Sequence, residues 1–339
     1  MTTFLAAVFV FGLLIFFHEL GHFLAAKSAG IKVFEFAIGF GPKLAAVTRG
    51  ETTYSLRAFP LGGFVRFAGL DPKDEEVEQG RSFKDKSVLQ RIGVIFAGPF
   101  MNFFLSALLL LAVFMVQGVP MPTTTVLDVV PNRPAAEAGI VKGDRIIAVN
   151  GHRVDEWKTL VAQIDANAGR EMTITVERGS ERFDVRLIPD EVEGKGKIGI
   201  YPTFENRQVG LIGSAVAGAQ WTWRWLVMIV GFLGQMIFQQ APVDVGGPVR
   251  IVSEIGTVAT QFGFIALLRM AAFLSINIGL FNLFPIPALD GSRILFLLWE
   301  GLTGRPINPE KESFIHLVGF GLLLALMVVV TYRDIIELF

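Results

Sequence analysis

The segment from Ile92 to Val116 contains no charged residue, and its only clearly polar side chains belong to Asn102 and Ser106. A segment of this length and composition can cross the hydrocarbon core of a bilayer as a single helix. Only a structure that pairs its own backbone groups is stable there, because no water is available to bind them. The sequence therefore predicts an integral membrane protein that is mainly α-helical.

Three further segments are predicted to cross the membrane, which gives about four transmembrane helices. Their bounds are Phe4 to His22, Phe262 to Leu289 and Phe314 to Val330. The stretch from Val209 to Phe238 is also apolar, but three Trp residues lie around Arg224 within it. That combination is typical of the membrane interface. We therefore predict that residues 207–255 form an amphipathic segment that lies on the membrane.

The composition supports a membrane protein and argues against several other classes. Only 18% of the residues are charged, whereas soluble domains average about 25%. The net charge of -1 argues against a nucleic-acid partner, since proteins that bind one usually carry a basic patch. The chain contains no cysteine, which excludes disulfides and thiolate metal ligands. Its N-terminus lacks a basic n-region, and we therefore expect the first apolar segment to be retained.

The distribution of Lys and Arg predicts how the chain is oriented. These residues are concentrated between the first two spans, and several more precede the last span. By the positive-inside rule both regions are cytoplasmic, which places residues 123–206 on the opposite side of the membrane. If residues 209–238 do not cross, Asp290 emerges on the same cytoplasmic side as His22. His316, near the start of the last span, is predicted to be interfacial and not a metal ligand.

Residues 123–206 have the pattern of an inserted extracytoplasmic α+β domain. The predicted elements are a strand at Thr124 to Val130, a helix at 155–167 and strands at 171–177 and 182–188. The runs 134–140 and 142–151 contain Ala-Gly, Gly-Asp and Asn-Gly pairs in an order that resembles a PDZ domain. PDZ domains bind an extended peptide at a sheet edge. A purely structural spacer remains the alternative, because a fold does not by itself establish a binding function.

The pentapeptide His18-Glu19-Leu20-Gly21-His22 lies at the end of the first apolar segment. In a helix its two imidazoles face the same side one turn apart, and the Glu between them can act as the general base of a metalloprotease. Ionisable residues within an apolar span are costly and by default mark a functional site. The pentapeptide therefore predicts two of the three protein ligands of a catalytic zinc. The alternative is a cluster of polar side chains that only reach the interface.

A third ligand is predicted within the segment Asn282 to Gly291, which reads Asn-Leu-Phe-Pro-Ile-Pro-Ala-Leu-Asp-Gly. Pro285 and Pro287 interrupt the helix just before Asp290, and broken backbone at membrane depth is tolerated only beside protein or a polar cavity. A carboxylate there is costly unless a cation such as zinc neutralises it. Asp290 is therefore the candidate. The alternative is that Asp290 only caps the helix that follows.

With both motifs present, the chain resembles the site-2 protease family of intramembrane zinc metalloproteases, in particular the bacterial RseP-type members with a PDZ domain. The resemblance covers essentially the whole chain. Besides the two motifs and the insert, it includes Phe64 to Gly69, Ala97 to Asn102 and Gly246 to Ile251. Members often follow the Asp-Gly pair with Gly-His, but this chain has Ser292-Arg293. That departure leaves metal ligation intact and puts in doubt only the contacts of the following helix.

The resemblance implies a role for each part of the site. The implied zinc ligands are His18, His22 and Asp290, the catalytic base is Glu19, and the predicted substrate-binding residues are Asn282, Pro285, Pro287, Tyr54 and Gly63. Asn282 would bind the substrate backbone near the scissile bond; the alternative is a polar residue that only bridges membrane helices. Tyr54 and Gly63 belong to the stretch from Val33 to Phe67. We predict that this stretch is a membrane-associated β-hairpin that takes up the substrate as an extra strand.

The implied substrates are single-pass transmembrane proteins, such as anti-sigma factors or remnant signal peptides. An upstream site-1 type protease would first shorten them outside the membrane. The PDZ-like domain would then act as a size filter or as a reader of the new end. The protein would lie in the bacterial inner (plasma) membrane, in contact with lipid, with its active site toward the cytoplasm. No nucleic-acid partner is implied.

These patterns divide the chain into five predicted regions. They are a first transmembrane helix with the HExxH motif and the hairpin at 1–90, a second helix at 91–122, the PDZ-like domain at 123–206, the membrane-lying segment at 207–255, and two last helices with the third ligand at 256–339. Two other functions fit parts of the pattern. One is a scaffold without catalysis, which an intact His-Glu-His-Asp set argues against. The other is a transporter with broken helices, although residues 1–120 and 200–339 show no repeat symmetry.

Overall fold

The computed structural model describes residues 1–69, 77–238 and 246–338. Within this part of the chain the fold has two compact units. One unit combines Met1–Phe114 with Leu211–Phe339, and the other is the insert Met115–Gly210. The fold therefore has the predicted form, in which one domain interrupts a helical membrane region.

Helices dominate the first unit. The helices of the chain are α1 (Thr2–Ser28), α2 (Val88–Gln117), α3 (Pro134–Glu137), α4 (Trp157–Ala166), α5 (Gly210–Ile237), α6 (Pro248–Thr257), α7 (Gly263–Asn282), α8 (Asp290–Thr303) and α9 (Pro309–Leu338). Four helical stretches of the described residues are long and apolar enough to cross a membrane. These are Thr2–Ser28, Val88–Gln117, Pro248–Asn282 and Glu310–Ile336. The predicted number of transmembrane helices is thereby confirmed.

The third of these spans differs from its predicted bounds of Phe262 to Leu289. It begins earlier, because α6, a π-helical turn at Val258–Phe262 and α7 follow one another directly. It also ends earlier, at Asn282. Pro285 explains the end, since the residue before a proline is disfavoured in a helix and a proline inside one removes a hydrogen bond. The loop of residues 283–289 that results leads directly into Asp290.

Helix α5 covers residues 210–237 of the predicted membrane-lying segment. It packs against α2, where the buried hydroxyls of Thr222 and Ser106 are 3.2 Å apart and hydrogen-bonded. One turn earlier Gly218 lies so close to α2 that a Cβ atom would be 2.7 Å from the carbonyl oxygen of Ala107. Later turns of α5 share an apolar cluster with α7. Small residues permit such close packing between membrane helices. Helix α5 therefore packs on α2 and α7, and the expectation that residues 207–255 lie on the membrane stays a prediction.

Between α1 and α2 the chain forms two long antiparallel strands, β1 (Val33–Arg49) and β2 (Thr52–Phe67). Both strands bend, so that the first part of β1 lies between two different parts of β2. The predicted simple hairpin is therefore a sheet of four short segments. Their order across the sheet is 63–67, 33–38, 52–57 and 43–49.

The bends of this sheet contain glycines, and its two ends differ in polarity. The bends contain Gly39, Gly41 and Gly62, all with positive φ, a conformation that side chains disfavour. Phe40 and Phe59 are exposed at this end, by 47% and 61%. At the other end the Glu51 carboxylate accepts a 2.6 Å hydrogen bond from the Lys27 ammonium at the end of α1. An apolar tip and a charged base are what an element that dips into a membrane requires.

The insert forms one main sheet with helices on it. Its strands are β3 (Val119–Val129), β4 (Arg145–Val149), β5 (His152–Arg153), β6 (Met172–Arg178), β7 (Glu181–Leu187), β8 (Asp190–Val192), β9 (Lys195–Lys197) and β10 (Ile200–Arg207). The sheet order is β10-β3-β4-β6-β7, with β5 beside β4 and a separate β8-β9 pair. Leu160 of α4 is fully buried in the core with Ile146 and Ile174 of the sheet. The PDZ-like α+β fold predicted for the insert is confirmed.

The boundary between the second helix and the insert lies earlier than predicted. Helix α2 ends at Gln117, not at residue 122, because Gly118 adopts a φ of 82° that ends the helix. Val119 already pairs with Arg207 in the sheet of the insert. The insert therefore includes residues 119–122, which the sequence analysis placed in the membrane.

The turns that suggest a PDZ domain have distinct structural roles. Asp144 of the Gly-Asp pair is fully buried, and its carboxylate accepts hydrogen bonds of 2.7 Å from Arg178 Nε and 2.9 Å from the Val141 N–H. Burial opposes ionisation, but these partners lower the pKa of Asp144 below its ordinary value. Asn150 and Gly151 both have positive φ, as a tight two-residue hairpin requires.

Candidate metal centre

Helix α1 carries His18 and His22 on one face, because residues four apart project from the same side of a helix. Gly21 lies against α2, and a Cβ atom there would be 2.1 Å from the carbonyl oxygen of Ala97. Glycine therefore allows the two backbones to approach closely. The ring of His22 is buried at this contact, with 7% of the residue exposed.

Asp290, the first residue of α8, completes a cluster of three side chains. Its Oδ2 atom lies 3.2 Å from His18 Nε2 and 3.4 Å from His22 Nε2. The two Nε2 atoms are themselves 3.3 Å apart. Among the residues that the structure describes, these three form the one group of His, Cys, Asp or Glu side chains placed to hold a metal ion. The sequence prediction brought together the same three residues.

These distances are those of three corners of a tetrahedral zinc site. With ligand bonds of about 2.0–2.2 Å, the ligands of such a site are separated by about 3.3–3.5 Å. Asp290 Oδ2 is buried but accepts no well-directed hydrogen bond, a costly state unless a cation neutralises it. The residues therefore fit the zinc that the resemblance implies.

The charge of the cluster suits a cation as well. Burial opposes ionisation of the Asp290 carboxyl, but the facing imidazoles of His22 and His18 lower its pKa well below the ordinary range. Asp290 is therefore anionic at neutral pH, as a carboxylate that binds a metal must be. One carboxylate and two imidazoles leave a fourth position open, as in catalytic zinc sites.

Glu19 projects from α1 toward the β-sheet. The backbone of Val65 lies beside its carboxylate, and a Cβ atom at Gly63 would be 3.0 Å from its Cγ atom. Both residues belong to segment 63–67, which is an edge of the sheet. The candidate base thus lies next to the candidate ligands His18 and His22 and beside a sheet edge.

The loop that leads to Asp290 is held by α9, a contact that sequence analysis missed. Ala288 has a φ of 78°, which is strained for a residue with a side chain. Its N–H donates a 2.9 Å hydrogen bond to His316 Nδ1. One turn later in α9, Gly319 lies against Pro287, where a Cβ atom would be 2.2 Å from the proline Cβ. His316 is therefore a support of the loop, and its position at the membrane interface stays a prediction.

The remaining predicted substrate-binding residues lie at different places. Gly63 lies at the edge next to Glu19. Asn282 ends α7, and its Nδ2 donates a 3.0 Å hydrogen bond to the Ile278 carbonyl. In the loop, Pro285 is exposed and Pro287 is half-buried under α9.

Tyr54 is not part of this group. It lies in an inner segment of the sheet, and its ring packs on Phe23 and Phe36 at centroid distances of 5.9 and 6.2 Å. The resemblance made Tyr54 a candidate as part of the predicted hairpin, but segment 33–38 lies between Tyr54 and the edge at Gly63. Its position indicates a role in holding the sheet on α1.

Comparison with known proteins shows that the chain is similar, over nearly its whole length, to one class of peptidase. Residues 6–326 match the model of peptidase family M50. The chain is 34% identical to the zinc metalloprotease RasP of Geobacillus kaustophilus, over 98% of this chain and 97% of that protein. It is also 34% identical to the regulator of sigma-W protease RasP of Bacillus subtilis, over 100% of this chain and 99% of that protein.

A solved structure matches a smaller part of the chain. The PDZ domain of an SdrC-like protein from Listeria monocytogenes is 21% identical, with a TM-score of 0.22. The match covers 25% of this chain and 90% of that domain.

Proposed function

The chain belongs to peptidase family M50, and we propose that it hydrolyses a peptide bond in or near the transmembrane helix of single-pass membrane proteins. As a member of this family it is a zinc metalloprotease and an integral membrane protein. One observation carries the proposal. His18 Nε2, His22 Nε2 and Asp290 Oδ2 lie 3.2–3.4 Å from one another, on helices that belong to or adjoin candidate membrane spans.

The residues of the site divide the chemistry among them. His18, His22 and Asp290 would hold the zinc, which when bound polarises the substrate carbonyl and lowers the pKa of a water molecule. Glu19 would take a proton from the attacking water and deliver it to the leaving amine. Its position in α1, between His18 and His22, brings the carboxylate close to the proposed ligands, and Gly63 at the sheet edge leaves room for it.

The sheet edge at 63–67 would present the substrate to the site. A peptide bond inside a helix is shielded by the helix's own hydrogen bonds, so the substrate must unwind locally. An unwound segment can add to a sheet edge through backbone hydrogen bonds. Such a strand would lie beside Gly63 and Val65, where Glu19 is also found. Asn282, with Pro285 and Pro287 after it, would hold the substrate from the side of α7.

The substrates would be single-pass proteins that another protease has already shortened. The Bacillus subtilis relative is named a regulator of sigma-W, which supports anti-sigma factors as one class of substrate here. The active site would face the cytoplasm and the PDZ-like insert the outside, because positively charged residues flank the ligand-bearing region. The family match leaves the transporter hypothesis without support, and the complete ligand set favours an active enzyme over a scaffold.

Zinc removal tests the proposed reaction directly. Purified protein in detergent should cleave a single-pass substrate that lacks its ectodomain. Chelation should abolish cleavage, because the site then lacks the cation that Asp290, His18 and His22 hold, and added zinc should restore it. Mass spectrometry of the products locates the cut. A cut confined to soluble segments, or cleavage that survives complete zinc removal, would contradict the proposal.

The role of the insert can be tested because its two ends lie together. Val119 pairs with Arg207, so residues 120–206 can be replaced by a short Gly-Ser linker without stretching the membrane unit. If the insert excludes large ectodomains, this variant will cleave an untrimmed substrate nearly as fast as a trimmed one. Cleavage of the trimmed substrate is the control for folding. An unchanged preference for the trimmed substrate would show that the selectivity lies elsewhere.

A further inference from the structure

Two residues of α2 face the two histidines of α1 in matching positions. The helices run antiparallel, so that His22 meets Val94 and Gly98, and His18 meets Asn102 one turn further along α2. His22 Nδ1 has a clear partner, the carbonyl oxygen of Val94 at 2.9 Å. This bond gives the Nδ1 of His22 a proton and leaves its Nε2 free for a metal.

The corresponding partner of His18 is the side chain of Asn102. This residue is completely buried in the middle of a charge-free helix. Its amide nitrogen lies 3.3 Å from His18 Nδ1, and its Oδ1 atom is buried without a hydrogen-bond partner. An amide can be turned by half a rotation, which exchanges its oxygen and nitrogen.

The metal decides between the two orientations. If the nitrogen faced His18, Nδ1 would accept the hydrogen bond and the proton would sit on Nε2, where it would block ligation. If the oxygen faces His18, Nδ1 carries the proton and Nε2 is free. In the second orientation the amide N–H groups, and no longer the oxygen, lack a hydrogen-bond partner. The number of hydrogen bonds therefore does not distinguish the two orientations, and zinc ligation selects the second.

The backbone of Asn102 is fixed independently by α7. Ser275 Oγ donates a 2.7 Å hydrogen bond to the Asn102 carbonyl oxygen, and both residues are fully buried. Gly279, one turn later in α7, lies so close that a Cβ atom would be 3.2 Å from the Asn102 Cβ. The side chain of Asn102 therefore starts from a rigid position and can reach the ring of His18 in a defined direction.

We propose that Asn102 is a positioning residue of the metal centre: its side-chain oxygen accepts a hydrogen bond from His18 Nδ1 and thereby keeps His18 Nε2 unprotonated and aimed at zinc. This inference rests on the proposed ligand role of His18. It gives a function to the run Ala97 to Asn102, which the sequence analysis recognised only as part of the resemblance.

Zinc affinity measured by competition with a chelator tests the proposal without reference to activity. Asn102→Leu removes the acceptor at similar size, and we expect its zinc Kd to rise by about 10- to 100-fold, the usual effect of losing such a partner. Asn102→Asp keeps an oxygen acceptor and should bind zinc nearly as well as wild type. Ser106→Ala is the matched control, because Ser106 is equally buried in α2 but bonds Thr222.

The absorption spectrum of the Co²⁺ form provides a second readout, because it reports the ligand geometry directly. We expect a changed spectrum for Asn102→Leu and a wild-type spectrum for Ser106→Ala. Thermal unfolding of the zinc-free forms shows whether each variant folds. Equal losses of affinity for Asn102→Asp and Asn102→Leu, or unchanged zinc binding by Asn102→Leu, would overturn the proposal. If His18→Ala also binds zinc as tightly as wild type, the proposed metal centre itself is wrong.

Discussion

Replacement of Glu19 by glutamine should lower the rate of substrate cleavage by about 10²- to 10⁴-fold, the usual contribution of a general acid–base group. Zinc content should stay at the wild-type level. Glutamine has the shape of glutamate but cannot take a proton from water at neutral pH, whereas His18, His22 and Asp290 are unchanged. The measurement is the initial cleavage rate of a trimmed substrate, with zinc determined on the same samples.

The position of Glu19 explains why its effect should be on turnover alone. The Glu19 carboxylate is not one of the three groups whose atoms lie 3.2–3.4 Å apart. It lies instead beside the sheet edge, where a Cβ atom at Gly63 would be 3.0 Å from Glu19 Cγ. Glu254→Gln makes the same chemical change on α6, where Glu254 is exposed and bonds Arg250, and it should leave the cleavage rate unchanged.

Two outcomes would contradict this assignment. Wild-type cleavage by Glu19→Gln would mean that another group moves the proton. Loss of zinc from Glu19→Gln, in a variant that remains folded, would mean that Glu19 holds the metal and is not the base. An outcome with bound zinc but equal, absent turnover in variant and wild type, across several substrates, would favour the scaffold hypothesis.

Local sequence was sufficient for the parts of the site that lie on single elements. The four-residue spacing of His18 and His22 places both rings on one face of any helix, and the prolines before Asp290 show where the third span must break. Charge distribution then predicted that Asp290 and His22 lie on one side of the membrane, provided that residues 209–238 do not cross it. The structure brings these three side chains together as predicted.

Contacts between distant elements could not be predicted in this way. His316 bonds Ala288 across 28 residues of sequence, and only the packing of α9 on the loop shows it. The bends of β1 and β2, which place Tyr54 in an inner segment, depend on pairing between four segments that alternation alone does not order. The mixture of Trp and Arg in α5 was also ambiguous, because such residues can face the interface or pack against α2. Asn102 did leave a local sign, since it is one of few polar residues in a charge-free span.

Gly98→Ala should raise the zinc Kd by more than about 10- to 100-fold, which is the usual effect of removing a hydrogen-bond partner of a metal ligand. A Cβ atom at Gly98 would be 2.3 Å from His22 Nε2, the atom that would bind zinc, and 2.5 Å from Cε1. The His22 ring cannot simply turn away, because it is buried and its Nδ1 is bonded to Val94. The added methyl group must displace either the ligand or the contact between α1 and α2. Chelator competition on the purified protein measures the effect.

Gly93→Ala is the matched control, because Gly93 lies in the same helix and a Cβ atom there would meet nothing within 4 Å. At an exposed helix position alanine is more favourable than glycine by about 1 kcal/mol. Gly93→Ala should therefore be neutral or slightly stabilising, with wild-type zinc binding. Comparison of the two variants separates the effect of filling the space beside His22 from the general effect of replacing a glycine in this helix. If Gly98→Ala bound zinc as tightly as Gly93→Ala, His22 could not hold the metal from the position that the structure gives it. The requirement for glycine would then concern helix packing alone.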